Sequence, residues 1–155
     1  MGISSWARGE SLHPLILYDS IKVGTIICIE SIHPYHIRNL TLQGANIFVV
    51  ITNDSWYDFT AGPMQHYIIS AVRAIEMRRY IARCANSGVS GIISPTGKTL
   101  LQAPQYQKAT ISFDVPLIDE NYFTLYAKIG DVLPFVSIFI VIFVVLFIRF
   151  RKKTT

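Results

Sequence analysis

Apolar positions in this chain fall into short runs separated by polar clusters, with one long run near the C-terminus. Residues 21–27 (Ile-Lys-Val-Gly-Thr-Ile-Ile) are β-branched and mostly apolar, which predicts a strand buried on both faces. Pro34 to Leu42 predicts a short helix closed by Gly44, and Ile47 to Thr52 a second buried strand ending in polar residues. Pro63 suits the first turn of a helix. From there Ile68, Ala71, Val72, Ile75 and the stem of Arg79 form a stripe at helical spacing, carrying the helix to about Ala85, before Asn86-Ser87-Gly88. Val89 to Ser94 predicts a third strand, turned by Pro95-Thr96-Gly97-Lys98. Ala109 to Val115 predicts a fourth, and Lys98 to Ala103 a further short one before Pro104. The order strand, helix, strand, helix, strand pair predicts an α/β layered domain.

The long run is of a different kind. From Val132 to Ile148 no residue is charged, and only Pro134 and Ser137 interrupt the aliphatic and Phe character. As a helix it spans roughly 25 Å at about 1.5 Å per residue, near the lower end for crossing a bilayer. Arg149, Arg151, Lys152 and Lys153 follow at once. A core helix seldom stays apolar all round and then ends in four cations, so the run reads as a transmembrane helix. The positive-inside rule keeps the 149–155 tail cytoplasmic and puts residues 1–131 on the outer face.

The formal charge of +4 is modest, and much of it sits in that tail. The remaining cations are interleaved with acids and aromatics, so no nucleic-acid footprint stands out. No His, Cys and carboxylate set has zinc-like spacing, so neither a metal nor a cofactor is expected. The two cysteines sit in unlike settings, Cys28 ending a strand and Cys84 within the second helix, which predicts two separate thiols. Met1-Gly2-Ile3-Ser4-Ser5 has neither the basic nor the apolar region of a signal peptide. A domain exported by a C-terminal anchor alone would be an awkward topology, which leads us to expect a partial chain.

Candidate chemistry gathers where the first two strands end. Strands finishing at Cys28 and at Thr52-Asn53-Asp54 bring those ends to one edge of the sheet, where ligands bind in α/β folds. A cysteine between a strand and a helix N-terminus meets backbone N–H groups and a helix dipole. Both favour the thiolate and offer an oxyanion site. The competing reading is a buried structural cysteine. Arg73 and Glu76, three apart on one helix face, read as a structural ion pair, and His66 as a hydrogen-bonded scaffold residue rather than a base.

Several motifs occur in a fixed order: Cys28-Ile29-Glu30, Thr52-Asn53-Asp54-Ser55-Trp56, Gly62-Pro63-Met64-Gln65-His66 and Arg73-Ala74-Ile75-Glu76. Arg83-Cys84-Ala85-Asn86-Ser87-Gly88, Pro95-Thr96-Gly97 and Leu125-Tyr126-Ala127-Lys128-Ile129-Gly130-Asp131 follow. As a set they resemble the C-terminal half of the apolipoprotein N-acyltransferases, membrane members of the nitrilase (carbon–nitrogen hydrolase) superfamily. The resemblance implies a partial αββα sandwich over 1–131, then one transmembrane helix over 132–148. It also implies a Glu–Lys–Cys triad and a ping-pong reaction at the outer (periplasmic) face of the inner membrane. There an acyl chain passes from a phospholipid, through a cysteine thioester, to the N-terminal amine of an apolipoprotein. Carried onto this sequence, Cys28 is the nucleophile and Glu30 a functionally important carboxylate. Asn53, Trp56 and Tyr57 are candidate substrate-lining residues, with a core role as the alternative for the two aromatics.

Two departures shape the expectation. Ile29 stands where the family has a Tyr, and the triad's Glu and Lys, with a bundle of membrane helices, belong upstream of the cysteine. Lys22 and Glu10 are too close in sequence to replace them. The chain is therefore expected to be a C-terminal piece, weak or inactive without an N-terminal half that is lost or separately encoded. The alternatives are an amide or nitrile hydrolase using the same cysteine, and a non-catalytic membrane-anchored binding module.

Overall fold

Three parallel strands organise the molecule, and their C-terminal ends share one edge. The computed structural model describes residues 12–18 and 20–151; Glu10, Lys152 and Lys153 lie outside them. Strand β2 (Ile21–Ile27) leads through a single 3₁₀ turn (Cys28–Ile32) into helix α1 (Pro34–Leu42), as the sequence predicts. Strand β3 (Ile47–Asn53) follows, then helix α2 (Gly62–Met77) and strand β4 (Tyr80–Asn86). β2, β3 and β4 pair in parallel, with Ile27, Ile51 and Cys84 in one row of the register. Three antiparallel strands complete the six-stranded sheet: β1 (Leu15–Leu17) on one edge, β5 (Gly91–Ile93) and β6 (Thr99–Gln102) on the other.

The sheet is covered on one face. Ile26, Phe48, Val50 and Ile81 pack against Ile37 and Leu40 of α1 and Ala74 and Met77 of α2. Each such apolar side chain stabilises the fold by about 1.5–3 kcal/mol when fully buried. Gly24 is required by this packing, because a Cβ there would lie 2.4 Å from the Phe48 ring. The opposite face is open: Ile27, Ile51 and Cys84 are exposed. Burial therefore alternates along β3, while β2 is exposed only at its last residue, Ile27; the expectation of a strand buried on both faces is corrected for β3 and for the end of β2.

Helix α2 differs from the sequence reading in two ways. It stops at Met77, eight residues short, because Arg78 takes a left-handed C-cap (φ 51°, ψ 49°) and β4 begins at Tyr80. The helix-forming character of Ala82 to Ala85 yields to pairing along the whole length of β3. Cys84 is consequently a strand residue, not a helical one, and both thiols are free. The buried face of α2 is also not the apolar stripe. His66, Tyr67, Ser70, Arg73, Ala74 and Met77 point inward, while Ile68, Val72 and Ile75 are exposed.

Beyond β6 the chain runs as an extended strap, and Ala109 to Val115 forms no strand. The buried Arg79 guanidinium donates to the carbonyls of Ala45, Asp119 and Tyr122 at 2.8, 3.1 and 2.8 Å, fastening the strap to the domain. A short helix, α3 (Leu125–Ile129), is capped by Thr124, whose side chain accepts the Ala127 N–H. Arg73 and Glu76 do pair, at 2.9 Å. Helix α4 (Val132–Arg151) is long and apolar enough to cross a membrane, and none of it is buried against the domain. Tyr126 donates to Asp131 at 2.8 Å just before α4.

Burial, then the Asp131 contact, pushes the Tyr126 phenol from 10.0 up to about 12. The fold holds the protonated phenol, so this contribution is complete below pH 10 and is lost as pH rises through about 12. A phenolate difference titration of wild type against Tyr126→Phe is expected to place the missing tyrosine near pH 12. A midpoint at the ordinary value would contradict the contact.

Candidate functional site

Cys28 occupies the corner where β2 turns into the 3₁₀ turn, and its backbone is left-handed, with φ 49°. For a residue with a Cβ this conformation costs roughly 1–2 kcal/mol, so its neighbours must hold it. Three groups do. The Glu30 carboxylate accepts the Ile27 N–H at 2.8 Å. The Ser31 hydroxyl donates to the Cys28 carbonyl at 2.9 Å. His66 Nε2 lies 2.8 Å from Ser31 Oγ and 3.2 Å from that same carbonyl. In a trans peptide C=O and N–H point opposite ways, so anchoring the Cys28 carbonyl toward His66 turns the Ile29 N–H away from it.

Behind His66 the network continues into the core. His66 Nδ1 is 2.9 Å from Asp54 Oδ1, which also accepts from Thr52 Oγ1 at 2.9 Å. Arg83 donates to Asp54 Oδ2 at 2.8 Å, to Ser70 Oγ at 3.1 Å and to the Val89 carbonyl at 3.2 Å. The Asp54 and Arg83 side chains are both 0% exposed. Burial holds the Arg83 guanidinium below its ordinary range, and the Asp54 charge opposes that shift. Gly88 makes room for the carboxylate: a Cβ there would lie 2.3 Å from Asp54 Oδ2.

The structure brings Cys28 and Glu30 into one turn, with Glu30 bonded to the backbone before the cysteine. Asn53, at the end of β3, accepts from the Ser55 N–H at 3.2 Å and from Asn86 at 3.1 Å. Trp56 is 83% exposed, whereas Tyr57 sits edge-on to the His66 ring. Neither aromatic belongs to the core. Lys22 pairs with Glu120. A cavity of about 700 Å³ lies on the open face of the sheet, lined by Val49, Cys84, Ile92, Tyr106 and Lys108 among others. Cys28 does not line it.

Sequence reasoning missed Ser31, Asp54 and Arg83 as members of one network. A signal existed: His66, Ser70 and Arg73 recur at helical spacing, a polar stripe that here faces inward.

The carbon–nitrogen hydrolase family matches residues 2–120. A relative from Chlorobaculum tepidum named apolipoprotein N-acyltransferase is 35% identical over 98% of this chain and 29% of its own length. One of the same name from Shewanella oneidensis is 32% identical over 97% of this chain and 29% of its own. The chain thus spans under a third of these relatives. Among solved structures, a carbon–nitrogen hydrolase from Helicobacter pylori superposes with a TM-score of 0.57 at 16% identity, over 65% of this chain and 42% of that one. A mutant amidase from Nesterenkonia, carrying acrylamide added at its active-site cysteine, gives 0.51 at 21% identity, over 63% and 41%. These likenesses identify the fold as nitrilase-like α/β.

Two expectations follow from the geometry. Cys28→Gly should be more stable than Cys28→Ala by about 1 kcal/mol, since only glycine relieves a left-handed backbone; equal unfolding midpoints would mean the corner is unstrained. Gly88→Ala should destabilise by roughly 1–3 kcal/mol, because the added methyl must displace a buried carboxylate. A neutral effect on chemical denaturation would show that Asp54 is not packed against Gly88.

Proposed function

This chain belongs to the carbon–nitrogen hydrolase family, and on that premise we propose that it supplies the nucleophile-bearing part of an apolipoprotein N-acyltransferase. The observation that carries the reading is Cys28 itself: a free cysteine at the end of a central parallel strand, its strained backbone held by a buried polar network. Evolved chains retain such strain mainly at functional sites.

The reaction proceeds in two displacements. The Cys28 thiolate attacks the ester carbonyl carbon of a phospholipid; the C–S bond forms and the C–O bond breaks. The lysophospholipid leaves with a proton on its oxygen, and the acyl chain stays as a thioester. The N-terminal amine of an apolipoprotein then attacks that carbonyl. The C–N bond forms, the C–S bond breaks, the nitrogen loses a proton and the thiolate returns. The base and the oxyanion-stabilising cation in this reading are the upstream Glu and Lys that the resemblance implies. Without them the chain alone is slow by orders of magnitude.

Other residues take supporting roles. Glu30 fixes the turn through the Ile27 N–H, and Asn53, Trp56 and Tyr57 border the lipid and peptide path at the same sheet edge. The exposed row of Ile27, Ile51 and Cys84 is the face that the second sheet of an αββα sandwich covers. Helix α4 anchors the domain, with the site on the outer face of the plasma membrane and the basic end in the cytoplasm; its apolar length and basic tail support this orientation.

Feeding an alkyne fatty acid to the native host and isolating the tagged chain tests the reading. The expected result is a hydroxylamine-labile label that Cys28→Ser abolishes. Ammonia release from small amides without labelling would instead mark an amidase. An unlabelled chain whose cellular effect survives Cys28→Ser would mark a binding module.

A further inference from the structure

The inward polar face of α2 ends on the nucleophile's own backbone, and the acyl-transfer chemistry gives it no role. His66 is 4% exposed and sits on α2, 38 residues from the cysteine in sequence, yet its ring spans from Asp54 on one side to the Cys28 carbonyl on the other. We propose that His66 is a positioning residue for Cys28, clamping the carbonyl of the left-handed corner so that the thiol and the Ile29 N–H keep a fixed relation. The proposal rests on reading Cys28 as the acyl-carrying nucleophile, but the clamp itself is a matter of geometry.

Three features set this ring apart from an ordinary buried histidine. Its Nδ1 side is locked, because Asp54 is held in turn by Arg83 and Thr52. Tyr57 closes one side of the ring edge-on, with centroids 6.4 Å apart, which limits its rotation. Its Nε2 side meets the carbonyl both directly and through Ser31, whose hydroxyl also reaches that carbonyl. The two contacts occupy both lone pairs of that carbonyl. What they secure is the orientation of the 28–29 peptide, the unit that carries the nucleophile on one side and an N–H on the other. A reacting group displaced by about 1 Å can lose a factor of about 100 in rate.

The test reads Cys28 directly. The 155-residue chain in host membranes is alkylated with iodoacetamide, and the modified Cys28 and Cys84 peptides are quantified separately by mass spectrometry. Cys84 is exposed on the open face of the sheet and serves as the internal reference for reagent access, while a circular-dichroism spectrum reports the state of the fold. His66→Leu is expected to slow Cys28 alkylation at least about tenfold with Cys84 unchanged. His66→Gln, which carries a donor and an acceptor at the reach of Nε2, is expected to restore most of the loss. If His66→Leu does not fold, Ser31→Ala removes only the bridging hydroxyl and carries the same expectation. Unchanged Cys28 kinetics, a parallel change at both thiols, or a Gln variant no better than Leu would each overturn the proposal. If alkylation depends on His66 while no acyl thioester forms at Cys28, the clamp stands and the acyltransferase reading fails.

Discussion

A single buried carboxylate organises this molecule. Asp54 lies at the end of β3, fully enclosed, with Arg83 of β4 on one oxygen and His66 of α2 and Thr52 on the other. Without it Arg83 would be a buried cation facing only neutral groups, a situation that costs several kcal/mol. With it, three elements are tied at one point, and the tie extends through His66 to the corner at Cys28. The parallel register makes this possible, since it brings the ends of β2, β3 and β4 to one edge. Helix α2 then has to present polar residues to the interior, which leaves Ile68, Val72 and Ile75 outside.

The remainder of the fold divides into a closed side and an open side. The helical side holds the core and the network. The other side exposes Ile27, Ile51 and Cys84 beside a cavity bordered by the segment after β6. The nitrilase-like sheet thus has one uncovered face among the described residues, in a chain that spans 29% of the length of the relatives named apolipoprotein N-acyltransferase. The strap fastened by Arg79, and α3 behind it, carry the chain from this layer to the apolar helix α4.

Much of this was legible in the sequence where local pattern and tertiary demand agree. β2 and α1 match the expected ranges, since β-branched runs, an N-terminal proline and a closing glycine all act locally. That Cys28 follows directly on a strand was legible in the same way, and the structure puts Glu30 in the same turn. Where the two levels conflict, the sequence misled. Residues 80–86 have helix-compatible composition yet form β4, because β3 offers a full-length edge. The stripe of Ile68, Val72 and Ile75 predicts the buried face of α2, and the network buries the opposite one. Asp54 and Arg83 are 29 residues apart, so nothing local announces their pairing. Such conflicts between levels concentrate at functional sites.

A double-mutant cycle on Asp54 and Arg83 tests the central claim most directly. Denaturant unfolding would be measured for Asp54→Asn, Arg83→Met and the pair together. Each single change should cost about 3–5 kcal/mol by stranding a buried partner, while the double variant should lose far less than their sum. Losses that simply add would mean that the pair is not coupled, and that something other than Asp54 holds the corner at Cys28.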